Sequence, residues 1–213
     1  MNRSHASMRS LDIEPPNHVA ALLAREVAGE SLWAIQPRRT KASGPNRLID
    51  QLLGFSRGGS GELVLQRDRV LLGEICEEAI DEIAPAHPGQ RIEFERWDDA
   101  PGDWDHDRLL LVVRNLLSNA LRHGLSDEPV LVSVFSFGEG AVVVVANRGL
   151  PIPDAFRRIL FAPADREPWP SDHLGLYIVR EVVRAHGGRI ELSGDEGATV
   201  VRVWLPRRYS LPM

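Results

Sequence analysis

The spacing of apolar residues along the chain predicts five helices. In each of five stretches apolar side chains recur every three to four positions, so one helix face is apolar and the other polar. The last stretch is followed by Gly187 and Gly188, a pair typical of a helix C-terminus. The predicted helices cover residues 17–35, 47–56, 71–83, 106–123 and 174–185.

Strands are predicted where apolar residues alternate with polar ones or form short continuous runs. The clearest pair surrounds Gly138-Glu139-Gly140, which is typical of a β-hairpin turn. Because helices and a largely antiparallel sheet alternate in one unit, we predict an α+β fold, a two-layer α/β sandwich. The predicted strands cover residues 62–66, 91–96, 130–137, 141–146, 189–193 and 199–205.

The same pattern predicts three regions. Residues 1–15 are polar and form a flexible lead-in, and residues 16–57 form a short helical hairpin. A glycine-rich joint at 57–61 separates this hairpin from the α/β sandwich, which we place at residues 58–213.

Composition narrows the class of protein. The chain has 213 residues, of which 43% are hydrophobic and 26% charged, and its net charge is -5. Because the net charge is negative, the composition does not indicate the basic surface that is typical of nucleic-acid-binding proteins. The single cysteine, Cys76, excludes an intrachain disulfide and a multi-cysteine metal site. No apolar run approaches the roughly 20 residues of a membrane span, and we find no signal peptide, so we expect a cytoplasmic protein.

Two asparagines in the helix at 106–123 are candidates for ligand binding. Asn115 and Asn119 are four residues apart and therefore share one helix face beside an apolar stripe. A carboxamide offers both an acceptor and donors, so it can bind a metal ion, its waters or a phosphate without carrying charge. The alternative is a core helix with two capped or solvated asparagines.

Three later segments carry further candidates. Asn147 and Gly149 follow a buried strand and can read a flat ring, although the same residues suit an ordinary turn. Phe161 precedes a polar loop at 164–172, which is either a lid or a plain surface loop. Gly175 stands at a helix start, where open backbone N–H groups suit phosphate oxygens.

In order and spacing, these four segments resemble the N, G1, F and G2 boxes of the sensor histidine kinase catalytic domain. That domain belongs to the ATP-binding group that includes DNA gyrase and the heat-shock-90 chaperones. The resemblance covers residues 57–206, and its specific matches are Arg-Asn-Leu-Leu-Ser-Asn-Ala-Leu-Arg-His and Gly-Leu-Tyr-Ile-Val-Arg-Glu-Val-Val-Arg-Ala-His-Gly-Gly. Residues 47–57 resemble the end of the second helix of the kinases' dimerisation domain.

The resemblance implies that the chain binds ATP and Mg²⁺. Asn119 would hold Mg²⁺ against the nucleotide phosphates, and Asn115 would lie at the same site. Arg122 and His123 would lie near a phosphate or the ribose. Asn115 stands where the gyrase-like ATPases carry a glutamate that activates water. Because asparagine is no general base, this favours phosphoryl transfer or binding without turnover over ATP hydrolysis.

The resemblance also indicates how the base and the lid are contacted. Asn147 replaces an aspartate that reads the adenine amine, and it can accept that bond without charge. Pro151 replaces the second G1 glycine and His173 replaces a G2 glycine, which makes the lid end stiffer. The remaining residues that the resemblance places around the nucleotide are Gly149, Ile152, Phe161, Gly175 and Leu176.

The phosphoacceptor is where the chain departs most from the kinases. Arg25 stands where a histidine is expected, and guanidinium has no lone pair for attack on phosphorus. His18, near the start of the same predicted helix, lacks the acidic residue that normally follows, and a solvated histidine is the alternative.

Three functions remain open. The first is an atypical sensor histidine kinase core in a phosphorelay, partnered by a response regulator and dimeric through residues 16–57. The second is a degenerate adaptor that regulates its partner without autophosphorylation, which Arg25 favours. The third is a serine kinase of the anti-sigma-factor type, which needs no histidine of its own.

Overall fold

The part of the chain that the structure describes contains three α-helices, a short 3-10 helix at Ala84–Ala86 and seven strands. The structure is a computed structural model, described for residues 63–149, 174–194 and 197–207. In chain order the elements are β1 (Asp68–Leu71), α1 (Leu72–Ile83), β2 (Ile92–Arg96), β3 (Pro101–Trp104), α2 (His106–His123), β4 (Val130–Phe137), β5 (Gly140–Arg148), α3 (Leu174–Ala185), β6 (Arg189–Ser193) and β7 (Ala198–Pro206).

The strands form one large sheet and one small one. The large sheet has five strands in the order β2-β4-β5-β7-β6, and β1 pairs with β3 in a separate two-stranded sheet. Strand β2 runs parallel to β4, whereas the β4–β5, β5–β7 and β6–β7 pairs are antiparallel. The predicted two-layer α/β sandwich with a largely antiparallel sheet is therefore confirmed.

The three helices share one hydrophobic core with one face of the large sheet. Alternate residues of β4 and β5 point into this core, because successive side chains of a strand point to opposite faces. Helix side chains that meet them, such as Ile75, Leu117 and Val179, are completely buried. Each such side chain contributes about 1.5–3 kcal/mol through its removal from water. The inward strand residues include Val130, Val132, Val134, Ala141, Val143 and Val145.

Two strand assignments from the sequence are wrong. Residues 63–66 of the predicted strand at 62–66 form no strand, and the first strand begins instead at Asp68. Leu63 packs against the hydrophobic core, and the backbone N–H of Gln66 bonds to the Asp105 side chain instead of to a neighbouring strand. The sequence also missed β3, because its Pro-Gly start disfavours a strand. Trp104 holds β3 in place, since its buried indole donates a hydrogen bond of 2.7 Å to the Pro206 carbonyl.

Other predictions lie outside the described residues. These are the lead-in at 1–15, the helical hairpin at 16–57, His18 and Arg25, and the lid around Phe161, and they stay predictions. Within the described ranges, no helix combines the length and the apolar character that crossing a membrane requires.

A buried histidine joins the start of α2 to the end of α3. The backbone N–H of Asp105 donates to Nε2 of His186 at 3.0 Å, so the ring proton sits on Nδ1, which lies 2.8 Å from the Val182 carbonyl. The Asp105 side chain also caps α2 by accepting a bond from the Arg108 N–H. The two helices that carry the candidate site are therefore fixed together at this end.

Because His186 is buried, we expect the protein to lose stability in mild acid. The pKa of His186 is lowered from 6.5 to about 4, chiefly by burial and also by the charge of Arg67. Its bond to the Val182 carbonyl and the charge of Asp105 oppose this shift in part. Because the folded state resists protonation, the stabilisation is complete above pH 6.5 and is lost as the pH falls towards 4. We expect wild type to lose roughly 2 kcal/mol more unfolding free energy than His186→Gln between about pH 7.5 and about pH 5. Equal losses in denaturant titrations of the two proteins would contradict this assignment.

Candidate functional site

Helix α2 presents two half-buried asparagines beside its core face. Leu116 and Leu117 are buried, with 2% and 0% of their surface exposed, and they fix the rotation of the helix. Asn115 and Asn119 lie beside them on the face shared by residues i and i+4. The amide nitrogen of Asn115 donates to the Leu111 carbonyl at 2.7 Å, so its orientation is set within the helix.

Asn119 carries an unpaired polar atom. Its Nδ2 is buried and finds no hydrogen-bond partner among the residues that the structure describes. Leaving a buried donor unpaired costs about 1–3 kcal/mol. An acceptor such as a phosphate oxygen would remove this cost, so the position fits an anionic ligand.

The start of α3 lies directly against Asn115. A Cβ atom placed on Gly175 would lie only 2.4 Å from Oδ1 of Asn115. Glycine therefore permits this close approach, whereas a larger residue would require the Asn115 amide to move. The first backbone N–H groups of a helix have no partner within it and attract anions. The side chain of Leu176 is buried in the core, so only its backbone is available for a ligand.

A second approach joins the end of β5 to the end of α2. A Cβ on Gly149 would lie 2.2 Å from the backbone oxygen of His123. Gly149 also pairs with Gly124 in a β-bridge and donates to the Gly197 carbonyl at 2.9 Å. These contacts place Asn147 next to the C-terminal end of α2. Its side chain is buried, and its Nδ2 makes a long bond of 3.4 Å to the Arg148 carbonyl.

The side chains of Arg122 and His123 are exposed at the last turn of α2. Cations are favoured there, since the C-terminal end of a helix carries partial negative charge. Both residues belong to the helix end that lies against Asn147 and Gly149, and the charge of Arg122 suits an anionic group of a ligand there.

The structure thus brings together Asn115 with Gly175, and Asn147 and Gly149 with the end of α2. Ile152 and Phe161 lie outside the described residues. The sequence reasoning missed Gly124, where a Cβ would lie 2.7 Å from the Ala120 carbonyl. Its position just after the last turn of a predicted helix was the available signal.

The donor set indicates what kind of metal could bind. Across the described ranges, no three His, Cys, Asp or Glu side chains lie together in a possible metal cluster. The candidate site therefore offers carboxamides, which suit a hard cation that keeps waters and shares a ligand's phosphates. Such a donor set is compatible with Mg²⁺, because Mg²⁺ needs few protein ligands when a nucleotide and waters supply the rest.

Comparisons with known proteins agree with this geometry. Residues 104–209 match the family of histidine kinase-, DNA gyrase B- and HSP90-like ATPases. The chain is 31% identical to a bacteriophytochrome of Pseudomonas aeruginosa over 171 residues, which cover 77% of this chain and 24% of the relative. It is 30% identical to the sensor histidine kinase TrcS of Mycobacterium tuberculosis over 186 residues, covering 82% of this chain and 36% of the relative. The chain thus spans about a quarter to just over a third of the length of these two curated relatives.

Solved structures share the fold. The catalytic domain of histidine kinase ThkA superposes with a TM-score of 0.57 at 23% identity, covering 67% of this chain and 98% of that chain. Full-length ShkA, solved in complex with AMPPNP, superposes with a TM-score of 0.60 at 22% identity, covering 78% of this chain and 36% of that chain. The matched family, the relatives and the shared fold together identify this part of the chain as a histidine-kinase-like ATPase core.

Proposed function

We propose that this chain is an atypical histidine kinase core that binds ATP with Mg²⁺ and acts in a two-component phosphorelay. The observation that carries the proposal is the buried Nδ2 of Asn119, which has no partner among the described residues. Asn119 shares a face of α2 with Asn115, and Gly175 at the start of α3 lies against Asn115. The unpaired Nδ2 favours a ligand rich in acceptors, and a triphosphate is one. Sensor histidine kinases among the relatives support the signalling role.

The residues present fit ATP with Mg²⁺. Asn119 can offer its oxygen to the ion while its nitrogen donates to a phosphate oxygen or a bound water. Bound Mg²⁺ would neutralise charge on the phosphates. The first turn of α3 around Gly175 would supply backbone N–H groups to the same phosphates. Asn147, at the end of β5, would accept a hydrogen bond from the exocyclic amine of the base.

The site favours transfer over hydrolysis. Asn115 already donates its amide to the Leu111 carbonyl and is neutral, so it has no means of taking a proton from water. In the transfer that we propose, a nitrogen of an acceptor histidine forms a bond to the γ-phosphorus. The bond from that phosphorus to the bridging oxygen breaks, and ADP leaves. His18 is the candidate acceptor within residues 16–57, and a response regulator then takes the phosphoryl group.

The location and assembly belong to the same proposal. A cytoplasmic homodimer through residues 16–57 would bring the acceptor helix to the ATP site, as in a kinase core. Arg25 in the expected acceptor position favours the adaptor as a second candidate, in which ATP binds without transfer. The serine kinase of the anti-sigma-factor type stays the third.

Incubation with ATP labelled on the γ-phosphate separates these functions. An active autokinase should acquire acid-labile, alkali-stable label, as expected of phosphohistidine, and His18→Ala should lose it. Binding of Mg·ATP without label would support the adaptor. Acid-stable label on an added protein would support the serine kinase, and absence of nucleotide binding would contradict all three.

A further inference from the structure

The five residues before β1 are tied to both helices of the candidate site. We call residues Leu63–Arg67 the strap. The backbone N–H of Gln66 donates to Oδ2 of Asp105 at 2.8 Å. The guanidinium of Arg67 donates to the Asp103 carbonyl at 3.0 Å and to the Ala185 carbonyl at 3.2 Å. The strap therefore contacts the residue that caps α2 and the last residue of α3.

The strap contacts the helices at the place where they are joined to each other. Asp105 donates its N–H to the buried ring of His186 and caps α2 through Oδ1, while Oδ2 receives the strap. The positive charge of Arg67 suits the C-terminal end of α3, where the helix leaves carbonyls unpaired. One hydrogen-bonded cluster thus holds the strap, the start of α2 and the end of α3.

The same two helices meet again at the nucleotide end. From Asp105 to Asn115, and from Ala185 back to Gly175, each helix runs ten residues, or about 15 Å. At that distance Gly175 and Asn115 approach so closely that a Cβ on Gly175 would displace the Asn115 amide. A small change in the angle between the helices at the strap would therefore change this contact.

We propose that the strap sets the affinity for Mg·ATP by holding α3 against α2, with Arg67 as a positioning residue. This rests on the proposed function. Release of Arg67 would let the end of α3 move away from the start of α2, and the rigid helix would carry that movement to Gly175. The chain preceding residue 63 enters the domain through the strap, so a force on that chain would act on the same cluster.

Titration of the full chain with Mg·ATP tests the proposal. We expect Arg67→Ala to weaken binding roughly threefold to tenfold. Arg67→Lys should recover part of the loss, because an ammonium group can still donate to the carbonyls. Arg69→Ala is the matched control, since Arg69 has the same charge and is exposed two residues further along.

A backbone pair of variants tests the second contact. Gln66→Pro removes the N–H that binds Asp105, whereas Gln66→Ala keeps it. We expect the proline variant alone to bind Mg·ATP more weakly, with circular dichroism showing that both variants fold.

Two results would overturn the proposal. The strap only stabilises the fold if Arg67→Ala and Gln66→Pro lower the unfolding temperature but bind Mg·ATP like wild type. Wild type that binds no Mg·ATP would contradict the proposed function, and the strap would then have no affinity to set. Binding by wild type and loss in both variants would support both proposals.

Discussion

Replacement of Asn119 by alanine is expected to weaken Mg·ATP binding roughly a hundredfold, as for the loss of charge-assisted hydrogen bonds. The change removes both the oxygen offered to Mg²⁺ and the nitrogen offered to a phosphate. The free protein should not be destabilised by loss of a hydrogen bond, because Nδ2 has no partner among the described residues. Calorimetric titration measures the affinity, and denaturant unfolding measures the stability.

The control is Ser118→Ala, which truncates a neighbouring half-buried polar residue of the same helix. It should bind Mg·ATP like wild type. If Asn119→Ala unfolds more easily and binds unchanged, the asparagine is a structural residue and the candidate site is wrongly placed.

Replacement of Gly149 by alanine should destabilise the fold by about 3 kcal/mol, at the upper end of the cost of overpacking. The added Cβ would lie 2.2 Å from the His123 carbonyl oxygen. Neither atom can rotate away, because the backbone of Gly149 fixes the Cβ and the oxygen is itself a backbone atom. Relief requires the end of β5 to separate from α2, which breaks the bridge between Gly149 and Gly124. Because Asn147 moves with that strand end, nucleotide affinity should fall as well.

Gly89→Ala is the matched control for this change. A Cβ on Gly89 meets nothing within 4 Å, so its unfolding free energy should stay close to that of wild type. The unfolding free energies of Gly149→Ala and Gly89→Ala are measured by denaturant titration at neutral pH. Equal stability of the two variants would show that the contact between Gly149 and His123 does not hold the strand end.

Helices α2 and α3 of the sandwich were predictable because several local signals agree in each of them. Helix α2 has a clear apolar period, and Asp105 caps it. Helix α3 ends before Gly187, whose positive φ of 74° favours glycine. These signals depend on residues close together in sequence, so a single sequence carries them. The predicted bounds 106–123 and 174–185 are confirmed.

The small strands were not predictable in the same way. Strand β3 has a Pro-Gly start, and it is a strand only because it pairs with β1, which lies some 30 residues earlier. Its anchor is the hydrogen bond from Trp104 to the carbonyl of Pro206, which lies 102 residues later in the sequence. Such pairings form only in the folded chain, so no local sequence pattern predicts them.

In the candidate site, too, the local features were predictable from the sequence and the tertiary contacts were not. The pair Asn115 and Asn119 follows from helical spacing alone, since i and i+4 share a face. The approach of Gly175 to Asn115 joins residues 60 apart in sequence, and only the packing of α3 against α2 reveals it. The cluster of Asp105, His186 and Arg67 is likewise tertiary, and nothing in its local sequence predicts that these residues meet.

The most direct test of the central claim is the side-chain amide spectrum of the full chain, recorded by NMR during a titration with Mg·ATP. If Asn119 donates its unpaired Nδ2 to the nucleotide, its NH₂ resonances should shift with the same saturation curve that calorimetry gives. The NH₂ resonances of Asn147 should follow that curve. Saturating Mg·ATP that leaves the Asn119 resonances unmoved would contradict the assignment of the nucleotide site to α2.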